Sequence, residues 1–312
     1  MSMSTEKPAF IGVDWGTSSF RAWLFGPSGE VLESTHGLWG ISQIAGASFR
    51  QTLLEAVGSW LADHAGLPIV MCGMIGSAQG WHEAGYLSGT VGVDELAAGA
   101  VNVPDPELAL YIIPGIKGVS ADGHNDVMRG EETLLAGGLG NMKADQTFFC
   151  LPGTHSKWIF GKKDRIERLT TFMTGELFHL MKAHSILAPL IDADSEVDLN
   201  SSAFADGLAL AQSPSGLLHH LFAIRAGVLT GRFAHSDVLT LLSAVLVGHE
   251  CKTMNLTCQA DDRSPVILMS SGALSAVYQQ AFGLLGIPYQ TVDSKTAAQA
   301  GLFAIFQRLQ DA

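Results

Sequence analysis

VDWGTSSFRAWLF, residues 13–25, is an apolar strand that runs into a Gly-Thr turn trailed by two serines and leaves through a second apolar run. FCLPGTHSKWIF, residues 149–160, repeats that plan far along the same chain. In a hairpin turn of this kind, glycine lets backbone N–H groups converge on one anion, and the hydroxyls add donors. One such turn is commonplace. Two matching turns point to a duplicated unit that grips a polyphosphate from both sides. Asp14 adds a carboxylate for the metal ion that a nucleotide brings with it; the plainer alternative is an Asx contact within its own turn. The pattern therefore reads as a nucleotide-handling protein with two lobes and a cleft.

Working outward, Phe10–Val13, Arg21–Phe25 and Glu30–Ser34 form neighbouring strands, with Gly26-Pro27-Ser28-Gly29 as a tight turn. Phe49, Leu53, Val57, Trp60 and Leu61 follow helical spacing. Pro68–Met74 is a continuous apolar strand of the type buried on both faces. Leu110–Ile113 is another strand, and residues 126–140 (DVMRGEETLLAGGLG) predict a helix that begins at Asp126. The second half repeats the order. Strands are expected over 147–151, 156–160 and 166–169, helices over 175–187, 203–212 and 237–250, and a polar surface loop over 191–202. Val266–Ser270 is a strand that turns through Ser271-Gly272-Ala273 into a helix ending at Leu285; Pro288–Val292 and Ala297–Leu309 close the chain. Strand meanders followed by strand–helix units, twice over, define an α/β chain of two similar domains. We set them at 8–143 and 144–312.

Composition narrows the function classes. The 312 residues are 47% hydrophobic and carry a formal net charge of -12. With no compensating basic stretch, a nucleic-acid backbone is excluded as partner. No apolar run reaches the ~18–20 residues of a membrane helix, and the polar start from Met1 to Pro8 lacks the apolar region of a signal peptide. A cytoplasmic protein is expected, its oligomeric state open, with a homodimer among the options. Cys72, Cys150, Cys251 and Cys258 show no CxxC spacing, and the 11 histidines are scattered, so neither a disulfide framework nor a zinc site is expected.

The motifs also carry a resemblance. Asp14-x-Gly16-Thr17-Ser18-Ser19-x-Arg21 resembles the first phosphate loop of the sugar kinase, Hsp70 and actin superfamily, Gly153-Thr154-His155-Ser156 its second, and Ser270-Ser271-Gly272-Ala273 its adenosine loop. The segments GMIGSAQGW (73–81), NDVMRGEETLLAG (125–137), LPGTHSKW (151–158) and TFMTGELF (171–178) are similar to those of the 2-dehydro-3-deoxygalactonokinases. The resemblance runs from about residue 10 to the C-terminus. It implies two ribonuclease-H-like (actin-like ATPase) domains flanking a nucleotide cleft, ATP and Mg²⁺ as cofactors, and a small sugar acid as substrate. The implied reaction moves the γ-phosphoryl group of ATP to the 6-hydroxyl of 2-dehydro-3-deoxy-D-galactonate. Another sugar or sugar acid on the same fold, or an ATP-driven switch, is the alternative.

Phosphoryl transfer needs positioning, charge neutralisation and a carboxylate to take the hydroxyl proton. Asp126 is the candidate base, with a helix N-cap as its plain alternative. Asp14 is the candidate Mg²⁺ residue. Gly16, Thr17, Ser18 and Arg21 are expected at the phosphates, with Gly153, Thr154 and His155 facing them. Gly272 and Ala273 are expected to pass the adenosine, where a bulkier residue would collide. Trp15, Ser77, Gln79 and Trp81 are expected to wall the sugar acid. Arg129, on the first turn of the helix begun by Asp126, is expected either at its carboxylate or in an ion pair with Glu132. Glu83, Glu131 and Glu176 are polar contacts with no assigned role.

Overall fold

The computed structural model describes residues 7–44, 48–139, 146–192, 194–258 and 265–311. The elements of the N-terminal half are β1 (Phe10–Trp15), β2 (Phe20–Phe25), β3 (Val31–Gly37), α1 (Phe49–Asp63), β4 (Ile69–Cys72), β5 (Tyr86–Ser88), α2 (Val93–Ala98), β6 (Val101–Val103), β7 (Leu110–Ile112), β8 (Gly115–Val119), β9 (Asn125–Met128) and α3 (Glu131–Leu139). The rest are β10 (Gln146–Leu151), β11 (Ser156–Lys162), β12 (Arg165–Phe172), α4 (Thr174–His184), α5 (Ser202–Gln212), α6 (Leu217–Leu229), α7 (Val238–Cys258), β13 (Val266–Met269), α8 (Gly272–Leu285), β14 (Tyr289–Val292) and α9 (Ser294–Gln310).

Contacts gather the chain into two units. The first holds the described residues of Met1–Asp145, Gly161–Leu169 and Asp293–Ala312; the second holds Gln146–Phe160 and Thr170–Val292. In the first, the sheet order is β3-β2-β1-β4-β7-β6. β1 runs antiparallel to β2 and parallel to β4, and β4 runs parallel to β7. The sequence explains these places. FIGVDW and IVMC are apolar almost throughout and are buried on both faces, as central strands must be, whereas VLESTHG is polar and sits at the edge. Helix α1, capped by Ser48 Oγ accepting from the Gln51 N–H, lays Leu53, Val57 and Trp60 into the core.

The sheet of the second unit repeats the plan as β12-β11-β10-β13-β14, with β10, β13 and β14 parallel, although Gly161–Leu169 of its two outer strands group with the first unit. A three-strand meander leading into parallel strands in both units is the ribonuclease-H-like arrangement that the resemblance implies. One core of this unit surrounds Trp158, Phe204, Tyr278 and Phe282, and another lies between α6 and α7. Among the described residues, no helix is long and apolar enough to cross a membrane. Cys72, Cys150 and Cys251 are buried free thiols; the side chain of Cys258 and residues Met1–Glu6 lie outside the described residues.

Two expectations change. The helix expected over 126–140 is a strand followed by a shorter helix. β9 pairs antiparallel with β8, Gly118 opposite Asp126 and Lys117 opposite Val127, and helix α3 starts only at Glu131. Gly130 turns the chain between them at φ +105°, a conformation that side-chain-bearing residues rarely adopt. A third sheet, β5-β8-β9, and helix α6 were not expected. The expected domain boundary at 143/144 lies outside the described residues. Residues 161–169 and the last helix α9, placed by the sequence with the C-terminal half, gather with the first unit.

Candidate active site

In the first unit, the turn between β1 and β2 is closed by the Gly16 N–H donating to Ser19 O at 2.9 Å. Its carbonyls are held from behind: the Ile41 N–H reaches Gly16 O, and both the N–H and the hydroxyl of Ser42 reach Thr17 O. The hydroxyls of Thr17 and Ser18 are left exposed. Asp14 ends up across the hairpin from Arg21, whose Nη2 lies 2.9 Å from its Oδ2. The aspartate side chain is only 14% exposed, so burial pushes its carboxyl up while Arg21 pulls it back. Its partner is thus the arginine of the motif, not its own turn. Trp15 departs from expectation. It has 0% exposure, packs edge-on against Phe20 and Phe49, and donates Nε1–H to Trp39 O, so it fastens the core and offers no face to a substrate.

The start of α3 brings a second group into this unit. The Gly130 N–H donates to both oxygens of Glu132 at 2.8 Å, and the Arg129 N–H donates to Glu131 Oε2. Glu132 is fully buried; desolvation, reinforced by Glu131, raises its carboxyl to about 8. Burial also raises the Cys72 thiol well above its ordinary range, with the charges of Asp14 and Glu132 adding to the shift. Since Cys72 sits beside Asp14 in the sheet register, these three groups share one buried neighbourhood.

Arg129 precedes the helix. Its Nη2 donates to Gly85 O at 2.7 Å and its guanidinium lies 4.3 Å over the Tyr86 ring, so the expected ion pair with Glu132 does not form. Its Nε and Nη1 are buried without hydrogen-bond partners among the described residues. A Cβ on Gly76 would come within 2.9 Å of that Nη1, which places the guanidinium against the turn carrying Ser77 and Gln79. Trp81 is half-buried against the core at the end of the same turn, its N–H on Ile75 O. Asp126 is a strand residue, which removes the N-cap alternative; its Oδ1 accepts from the Val127 N–H at 2.7 Å.

In the second unit, Gly153, Thr154 and Ala273 line one cavity of about 680 Å³, with Thr174, Gly175, Phe178, Val197, Leu199, Leu246, Leu274, Val277 and Tyr278 among its walls. Val197 and Leu199 come from the polar stretch that the sequence presents as a surface loop. His155 points instead to Glu176, with Nε2 2.5 Å from Oε2. Gly272 opens α8 at φ +66°, and a Cβ there would meet nothing within 4 Å. The backbone conformation by itself already favours glycine there. An apolar cavity with a glycine-rich, hydroxyl-bearing rim suits a flat aromatic base carrying a polar phosphate tail.

The 2-keto-3-deoxy-galactonokinase family profile matches residues 14–305. The chain belongs to that family. A probable 2-dehydro-3-deoxygalactonokinase of Rhizobium meliloti (strain 1021) is 37% identical over 301 residues, covering 96% of this chain and 97% of the relative. The 2-dehydro-3-deoxygalactonokinase of Escherichia coli (strain K12) is 34% identical over 297 residues, 95% and 97% covered. The fold agrees with a crystal structure from Sinorhizobium meliloti, described as a "putative 2-dehydro-3-deoxygalactonokinase protein", at a TM-score of 0.88 and 37% identity over 96% of this chain and 98% of that one.

Within this family frame, sequence reasoning gave no role to Thr174, Glu250 and Tyr278 and saw Glu132 only as an ion-pair partner for Arg129. A glutamate two residues after Gly130 and a lone glutamate inside the apolar run of α7 were the available signs. Both carry an acid where packing alone asks for none.

Proposed function

We propose that this chain transfers the γ-phosphoryl group of ATP to the 6-hydroxyl of 2-dehydro-3-deoxy-D-galactonate in galactonate breakdown. Family membership supports the reaction. The observation that carries the nucleotide half is the apolar cavity rimmed by Gly153, Thr154 and Ala273. Adenosine enters that cavity, and the phosphates meet the backbone of Gly153 and Thr154 with His155 beside them. In the first unit, Thr17 and Ser18 offer hydroxyl donors to phosphate oxygens from the turn that Gly16 opens, and Arg21 adds a positive charge.

Mg²⁺ suits the donor set as an ion arriving with the triphosphate. Asp14 gives one hard oxygen donor, and among the described residues no group of three His, Cys, Asp or Glu could hold a resident metal. Bound there, the ion neutralises phosphate charge. Arg129 receives the sugar-acid carboxylate, because its buried Nε and Nη1 lack partners among the described residues and an unsatisfied buried donor costs about 1–3 kcal/mol. Ser77 and Gln79 offer polar contacts from the adjoining turn, with Trp81 shaping its far end. Asp126 takes the proton of the 6-hydroxyl as its oxygen attacks the γ-phosphorus. The bond from that phosphorus to the β-bridging oxygen breaks, and ADP leaves. The reaction is placed in the cytoplasm.

ADP release from ATP and Mg²⁺, measured against a panel of sugar acids and aldoses, tests this. The galactonate compound should stand out. Release with a different acceptor alone moves the substrate, and release with none sinks the kinase reading. In the same assay Asp126→Asn should cut kcat by about 10²–10⁴-fold with the fold intact; near-normal turnover removes Asp126 as the base.

A further inference from the structure

Three side chains of the second unit converge on one buried carboxylate. Glu250, on α7, is 2% exposed, and Leu246, Val247, Cys251 and Met254 of the same helix are buried as well. Trp158 Nε1–H donates to its Oε1 at 2.7 Å, the Tyr278 hydroxyl donates to Oε2 at 2.8 Å, and the Thr174 hydroxyl donates to the same oxygen. Ser156 Oγ shares a further hydrogen bond of 2.8 Å with Tyr278. Taking a carboxylate out of water costs several kcal/mol unless donors replace the water. Burial pushes this carboxyl above the ordinary glutamate range, and the donors pull it back. The apolar packing of α7 would be served by a hydrophobic residue, so the acid is explained by what its donors belong to.

All of them belong to the surroundings of the Gly153–His155 loop. Ser156 and Trp158 begin β11, directly after that loop. Thr174 opens α4, whose next two residues press on the loop from behind. A Cβ on Gly175 would fall 2.4 Å from Gly153 O, the Glu176 N–H donates to Thr154 O at 2.9 Å, and the Glu176 carboxylate meets His155. Tyr278 lies on α8, the helix that carries Ala273, and both Tyr278 and Thr174 face the cavity. One carboxylate thus ties together the strand leaving the loop, the helix backing it and the helix that brings Ala273 to the cavity.

We propose that Glu250 is a positioning residue for nucleotide binding, holding Gly153–His155 and the cavity wall in their receiving geometry through Thr174, Tyr278, Ser156 and Trp158. This role rests on the reading of the cavity as a nucleotide site. Glu250 makes no contact with the ligand. Its effect is preorganisation: loop donors set in place beforehand bind more tightly than donors that must be ordered by the ligand.

The test is calorimetric titration of the full chain with ATP and Mg²⁺, paired with steady-state kinetics, for the wild type, Glu250→Gln, Thr174→Val and Thr174→Ser. Glu250→Gln and Thr174→Val should each weaken ATP binding and raise the KM for ATP by about tenfold or more, while the KM for the sugar acid changes by less than about twofold. Thr174→Ser, which keeps the hydroxyl that Glu250 accepts, should recover most of the affinity that Thr174→Val loses. If Glu250→Gln does not fold, Trp158→Phe, which removes a donor to Glu250 from a residue that does not line the cavity, should show the same selective loss of ATP affinity. Unchanged ATP affinity in the loss variants overturns the positioning role, as do equal losses in both KM values. A wild type that does not bind ATP overturns the nucleotide reading itself, which is a separable result.

Discussion

Glu132 holds a proton that the unfolded chain has already released. Its carboxyl titrates near 8 in the fold against the ordinary 4.5, chiefly because burial removes water from the charged form. Between those two values the folded chain binds more protons than the unfolded one, so stability falls as pH rises through the window. Below pH 4.5 both states are protonated and the cost vanishes; above pH 8 it is complete and flat. Glu132→Gln keeps an oxygen for the Gly130 N–H and removes the charge. The variant should match the wild type near pH 4.5 and exceed it by an amount on the order of a few kcal/mol near pH 8. Urea midpoints across that range measure the difference, and a gap that does not change with pH contradicts the assignment. An acid kept at such a cost beside Cys72 and Asp14 fits a unit built for charge handling more than for stability.

The helices α3 and α9 meet closely enough for glycine alone. A Cβ on Gly301 would fall 1.8 Å from Thr133 O, and one on Gly137 would fall 2.1 Å from Ala297 O. The obstacles are backbone atoms of the facing helix, which cannot turn aside as a side chain can. Gly301→Ala should therefore destabilise by about 1–3 kcal/mol or more. Gly283→Ala is the control: this glycine lies inside α8 with nothing within 4 Å of the added carbon, and the change should stabilise by roughly 0.5–1 kcal/mol. Melting temperatures that move in the same direction for both would refute the crossing argument. The sequence shows the glycines of α3 but not their partners, because a close crossing is a property of two segments and hydrophobic spacing describes one. The same limit explains β9. DVMRGEETLLAG reads as one helix by composition, and only pairing with β8 and the left-handed turn at Gly130 reveal the strand that carries Asp126. Where the pattern is local the reading holds better: both Gly-Thr turns, the hairpin from β1 to β2 and the turn from β13 through Ser271-Gly272 into α8 follow from short motifs. Trp15 misleads because an aromatic beside a motif looks the same in sequence whether it faces a ligand or the core.

At the scale of the whole chain, the repeated sheet order was legible because each unit is written as strand, strand, strand and then strand–helix alternation. The return of the C-terminus to the first unit was not, since no local pattern records which core a terminal helix joins. Its consequence is testable by dissection. Helix α9 buries Leu302, Ile305 and Phe306, and the Phe306 ring stacks on Phe10 with centroids 4.1 Å apart. Three large side chains moved out of water contribute roughly 5–9 kcal/mol by the usual value for full burial, and a whole domain is stable by only about 5–15 kcal/mol. A fragment of residues 8–143, cut where the sequence pattern suggests, should therefore lack a cooperative melt and show collapsed amide dispersion. Adding a peptide of residues 293–311 in trans should restore part of both, because it returns the surface that α3 and Phe10 have lost. A fragment that melts cooperatively without the peptide would mean that β1 to α3 carry enough core by themselves, and that α9 is an accessory to the first unit instead of part of its fold.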